Sequence, residues 1–110
     1  MQMQQMINIF DLEGWNRQME LFTPLFEQPA FRFERILTAG QTSPASGWYD
    51  QDENEMVILL QGNATIEFDD DVKSELKAGD MLIIEKFRKH KVSYTSSEPP
   101  CIWLVAFWRD

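Results

Sequence analysis

The chain has 110 residues, enough for one domain around one hydrophobic core. Its 18 acidic against 10 basic side chains give a formal net charge of -8, which sets it against phosphate backbones and anionic bilayers and excludes nucleic acid and membrane as expected partners. A cationic or neutral small molecule, or another subunit, suits that charge better. Hydrophobic residues at 44% and charged residues at 25% describe an ordinary soluble globular protein, and aromatics at 13% suit a compact β core, a dimer face, or both.

The opening MQMQQMINIF has neither a basic n-region nor an apolar h-region, so it does not read as a signal peptide. No apolar run approaches the ~20 residues of a membrane helix, and a soluble, cytoplasmic protein is expected. Residues 1–30 read as an N-terminal arm. Within it Trp15, Met19 and Phe22 fall near helical spacing, which predicts one short helix ended by Pro24.

From residue 31 to 110 the signals are β and make one barrel-sized domain. FRFERIL (31–37) alternates, with Phe31 and Phe33 on one side, read as core, and Arg32 and Glu34 on the other. GQTSPASG (40–47) is a loop by composition. MVILL (56–60) is apolar on both faces. Gly62-Asn63 marks a turn before ATIEF (64–68), where Ala64, Ile66 and Phe68 point in. VKSELK (72–77), an Ala78-Gly79-Asp80 turn and MLII (81–84) follow. HKVSYT (90–95) places His90, Val92 and Tyr94 on one side. CIWLVAFW (101–108) is again apolar on both faces and contains the single cysteine, Cys101, read as a buried inert thiol. Short strands separated by turns predict an all-β sandwich or barrel. The two strands apolar on both sides need a cover, for which the arm and a second copy in a homodimer are the candidates.

Two patterns carry a resemblance. Glu55 is followed by MVILLQ and then Gly62, and Gly79-Asp80 is followed by His90 eleven positions after the glycine. With WYDQDENE, LLQG, AGD and WLVAF, they make residues 31–108 resemble a small single-domain cupin, of a subgroup of short bacterial members whose function is largely unassigned. The resemblance implies a double-stranded β-helix of the jelly-roll type, and a pocket with three histidines and one glutamate around a divalent transition metal ion. Only Glu55 and His90 match that set. The paired histidines fall on Trp48 and Asp50 in one frame, or on Tyr49 and Gln51 in the other. The second pattern has Glu85, Phe87 and Tyr94 where the family has proline, glycine and asparagine.

The expected site follows from these positions. Gln51, Glu55 and His90 are the candidate metal-holding residues, since imidazole, carboxylate and amide oxygen suit a divalent ion held weakly. Trp48, Tyr49, Asp50 and Tyr94 are the candidate ligand-binding residues, the two adjacent aromatics as a stacking wall. Without metal, Glu55 and His90 make a hydrogen-bonded acid–base pair. Asp50, Asp52 and Glu53 read most simply as a solvated turn, with direct ligand contact the alternative, and Arg88, Lys89 and Lys91 as a soluble strand edge or an anion-attracting rim. The family's activities imply a metal-dependent isomerase or oxygenase; a metal-free binding or regulatory domain and a structural dimerisation unit are the alternatives.

Overall fold

The computed structural model describes residues 6–110, so the first five residues of the arm, and that part of the start read for a leader, lie outside it. The described chain is built of eight antiparallel strands: β1 Leu21–Gln28, β2 Phe31–Thr38, β3 Asn54–Gln61, β4 Asn63–Phe68, β5 Lys73–Lys77, β6 Met81–Ile84, β7 His90–Thr95 and β8 Cys101–Trp108. They form a five-stranded sheet in the order β1-β2-β8-β3-β6 and a three-stranded sheet in the order β5-β4-β7. The two sheets close as a jelly-roll barrel. β3 and β8 lie side by side in the large sheet because their branched and aromatic residues fit a pleated surface buried on one face. Their inward set, Val57, Leu59, Trp103, Val105 and Phe107, packs with Ala64, Ile66 and Phe68 of β4 into the core.

The expected helix does not form. Asn8, Asp11 and Asn16 each accept, through a side-chain oxygen, the backbone N–H two residues on. Such Asx turns compete directly with helical bonding. The chain then enters β1, which pairs with β2 from Leu21↔Leu37 to Gln28↔Phe31. Pro24 does not end a helix but sits in this edge strand at a register shift, where its missing N–H costs no ladder bond. The arm before β1 is tied to the large sheet's outer face by Arg35, whose Nη1 donates to the carbonyls of Ile9 and Asp11 at 3.0 and 2.7 Å.

The parity of β2 is also opposite to the sequence expectation. Arg32 is the partner of Phe107 and Glu34 of Val105, so both charged residues share the inward face of β8. Phe31 and Phe33 turn outward, and Phe31 is 36% exposed. The register with β8 decides this, because a one-residue slip would push Val105 and Phe107 out of the core.

The loop 40–53 is anchored to the free edge of β7. Ser43 and Val92 exchange backbone hydrogen bonds, and so do Tyr49 and His90. The two glycines of the sequence patterns are turn residues with φ of +94° (Gly62) and +96° (Gly79). A Cβ on Gly62 would lie 2.7 Å from Cys101 Sγ and 2.8 Å from Ser96 Oγ, whereas one on Gly79 would meet nothing within 4 Å. Phe87, where the family has glycine, takes φ +66°.

These positions give graded expectations for chemical unfolding. Gly79→Ala is expected to cost about 1–2 kcal/mol from the left-handed backbone alone. Gly62→Ala adds overpacking and should cost about 3 kcal/mol or more. Phe87→Gly is expected to raise stability, by up to about 1 kcal/mol after the entropy of the added glycine is offset. Equal losses at Gly62 and Gly79 would contradict the close approach at Gly62.

Candidate functional site

A cavity of about 260 Å³ opens between the sheets. Ile36, Val57, Ile66, Val92, Trp103, Val105 and Phe107 supply its apolar wall, and its polar groups include Glu20, Arg32, Glu34, Tyr49, Gln51, Glu55 and His90. Alternation along β3 aims Glu55 inward together with Val57 and Leu59. His90 enters from β7, opposite Phe68 in the register and buried against it.

Glu55 and His90 meet across the barrel. Glu55 Oε1 lies 3.3 Å from His90 Nε2, with the residues 8% and 4% exposed. His90 Nδ1 is 2.8 Å from the carbonyl oxygen of Arg88. A carbonyl only accepts, so Nδ1 carries a proton, and a second proton lies between Nε2 and the carboxylate. Burial disfavours the imidazolium, but the hydrogen bonds to Glu55 and to the Arg88 carbonyl, with the charge of Glu55, outweigh it and hold His90 above its ordinary pKa of 6.5. Gln51 completes the cluster, its Nε2 donating to Glu55 Oε1 at 3.2 Å. The backbone of Gln51 is fixed by the turn before β7, through the Phe87 N–H on its carbonyl at 2.7 Å.

The two open frames of the 48–51 stretch are thereby separated. Tyr49 and Gln51 face the cavity, and the Tyr49 ring lies 5.6 Å from that of His90. Burial pushes the Tyr49 phenol above its usual range. Trp48 and Asp50 point the other way. Trp48 carries Lys91 Nζ 4.4 Å above its ring, and Asp50 is exposed. Tyr94 is displaced as well. The β4–β7 register shifts so that Thr65 faces Tyr94 and Ile66 faces Val92, with Ser93 skipped. That bulge turns Tyr94 out, to 52% exposure, and brings Thr95 in. Trp48, Asp50 and Tyr94 therefore do not line the cavity.

Gln51, Glu55 and His90 come together, but as a hydrogen-bonded cluster. Both imidazole nitrogens are engaged, and no group of three or more His, Cys, Asp or Glu that could hold a metal ion occurs among the described residues. Catalytic metal centres of the zinc type use three protein ligands. This donor set does not fit a tightly held ion.

Sequence reasoning missed Glu20, Arg32 and Glu34. The Arg32 guanidinium lies 3.8 Å over the Phe107 ring and reaches Glu53 Oε1 at 2.8 Å and Glu34 Oε2 at 3.5 Å. Glu53 is thus an ion-pair partner and not a solvated turn residue. The sequence signal available was Ile36, an apolar residue on the charged side of β2. The basic cluster lies outside the cavity, with Arg88 on the Phe68 ring and 3.7 Å from Asp70.

The comparisons agree with this architecture. The family model described as Cupin domain matches residues 34–107. The chain belongs to the cupin family. It is 30% identical to a Ralstonia eutropha protein named a putative mannose-6-phosphate isomerase, with a TM-score of 0.89 over 97% of this chain and 100% of that one. A cupin superfamily protein from Desulfitobacterium hafniense shares 20% identity, with a TM-score of 0.76 over 90% of this cupin and 85% of that chain. No curated protein matches this cupin in sequence. No helix among its described residues is long and apolar enough to cross a membrane.

His90 is the chain's single histidine, so its ring signals in NMR need no assignment. Its titration midpoint is expected above 6.5 and should fall in Glu55→Gln. The sign for stability follows. The contribution of a group raised on folding is complete below its unfolded pKa and is lost as pH rises through the folded value. Urea unfolding of wild type and His90→Gln should therefore differ most at or below about pH 6.5 and converge as pH rises through the folded-state midpoint that NMR gives. A difference that grows with alkalinity would refute the ion pair.

Proposed function

We propose that this cupin binds a small organic molecule in the cavity beside the Glu55–His90 pair, without a resident metal ion. The observation that carries the reading is the small donor set around His90. Nδ1 bonds the Arg88 carbonyl, so only Nε2 could ligate, and beside it Glu55 is the one acidic partner, with no group of three or more His, Cys, Asp or Glu among the described residues. The cavity supplies what a small-molecule site needs: apolar walls, a few converging polar groups, and an opening between the sheets. Any chemistry there would be proton transfer, with imidazolium as acid and Glu55 or neutral imidazole as base. Tyr49 and Gln51 would orient the ligand beside that proton. A cytoplasmic location belongs to this reading and is supported by Cys101, which is buried and unpaired.

Homodimer formation is also part of the proposal. Met56, Ile58, Leu104, Ala106 and Trp108 alternate with the core residues of β3 and β8, so they share the outer face of the large sheet. Met81 and Ile83 extend that face on β6, 55% and 43% exposed. An isologous contact through it would cover the apolar outer sides of β3 and β8.

Two measurements test these statements. Untagged protein is expected to carry substoichiometric metal and to keep its Tm in chelator; stoichiometric metal with a chelator-sensitive Tm overturns the metal-free reading. Light scattering after gel filtration is expected to give twice the 13.0 kDa of one chain, and Ile83→Lys to give a monomer of unchanged fold. A monomeric wild type removes the dimer.

A further inference from the structure

Resting on the binding reading above, we propose that the cavity selects an organic cation, a protonated amine with a small apolar or aromatic body, and rejects phosphorylated sugars. Glu20, Glu34 and Glu55 line the cavity against Arg32 and His90. Both cations already have carboxylate partners. Arg32 is sandwiched between the Phe107 ring and the carboxylates of Glu53 and Glu34, and His90 is paired with Glu55. With Glu53 included, four carboxylates face two cations. The surplus is negative, which disfavours an anion in the cavity.

Two observations point to a ligand and not merely to an acidic lining. Glu55 lines the cavity and meets His90 and Gln51 through Oε1 alone, which leaves Oε2 without a partner among the described residues. Glu20, beside Phe22 at the start of β1, has no ion-pair or hydrogen-bond partner among the described residues either. A ligand ammonium would supply charge-assisted donors to these oxygens, which face the cavity without a protein partner. Burial pushes both Glu20 and Glu34 above the usual carboxylate range, and for Glu34 the nearby Glu55, Glu27 and Glu53 add to it against the opposing effect of Arg32. The rings of Tyr49 and Trp103, which line the cavity, suit the body of such a cation. The basic side chains beside His90 do not line the cavity: Arg88 is held by Asp70 and Phe68, Lys91 lies over Trp48, and Lys89 is exposed. The overall charge of -8 favours the approach of cations to the molecule.

The experiment compares isosteric probes by calorimetry and by amide shifts: benzylamine, benzyl alcohol and benzoate, with mannose 6-phosphate alongside. Benzylamine is expected to bind at least about tenfold more tightly than the neutral and anionic probes, a difference of about 1.4 kcal/mol. Its shifts should map to Tyr49, Val92 and Val105. The double variant Glu20→Gln with Glu34→Gln should lose about tenfold of that affinity while its unfolding midpoint does not fall. Tighter binding of benzoate or mannose 6-phosphate at the same residues overturns the cation class and leaves the binding pocket standing. Benzylamine affinity unchanged in the double variant overturns the assignment to these carboxylates and marks a nonspecific charge effect. No shift of cavity residues with any probe overturns this inference and the binding reading together.

Discussion

The hydrogen-bonded contact between Glu55 and His90 is the constraint around which the interior is arranged. It joins β3 of the large sheet to β7 of the small one, at 3.3 Å, in a place nearly closed to water. Neither partner is tolerable there alone, because a buried charge needs an opposite one and a hydrogen-bond partner. The neighbouring geometry follows from holding this pair. The Arg88 carbonyl fixes the ring at Nδ1, Gln51 bonds the carboxylate, and the paired backbone bonds of Tyr49 and His90 bring the loop to the edge of β7.

A barrel of this size could fill its centre with hydrophobic side chains. This one leaves a cavity and lines it with charge. Arg32 shows how the chain tolerates that. Its guanidinium lies over Phe107 and its nitrogens meet two carboxylates, so its charge is compensated within the wall. Glu20 and Glu34 are less well compensated, and burial works against their charged forms. Carboxylates kept in such surroundings are an expense in stability that a binding site can justify and a packed core cannot.

The cupin sequence patterns divide here into a structural and a chemical part. Gly62 and Gly79 retain the turns, and at Gly62 the neighbouring Cys101 and Ser96 leave no room for a side chain. Glu55 and His90 retain the facing pair. The positions of the two histidines carry Tyr49 and Gln51 in the inward frame, which turns a set of metal ligands into a phenol and an amide. The barrel does not depend on that exchange, because it is held by the core and the turns. Fold and site chemistry can therefore separate within one family.

Much of this was legible in the residues themselves. Alternation and turn residues determined the strands from residue 31 onward, and that Glu55 shares a face with Val57 and Leu59, because period-2 patterning is written locally. The resemblance carried by the acid–glycine and glycine–histidine patterns implied that Glu55 and His90 share the barrel interior. Three features were decided only by the tertiary structure. The face of Arg32 and Glu34 depends on register with β8, seventy residues away in sequence. The outward turn of Tyr94 depends on a bulge against β4. The entry of Glu20 into the cavity depends on β1 pairing along β2, which Asx turns and an edge proline disguise as something else. Local periodicity says which residues share a side; only long-range pairing says which side is inside.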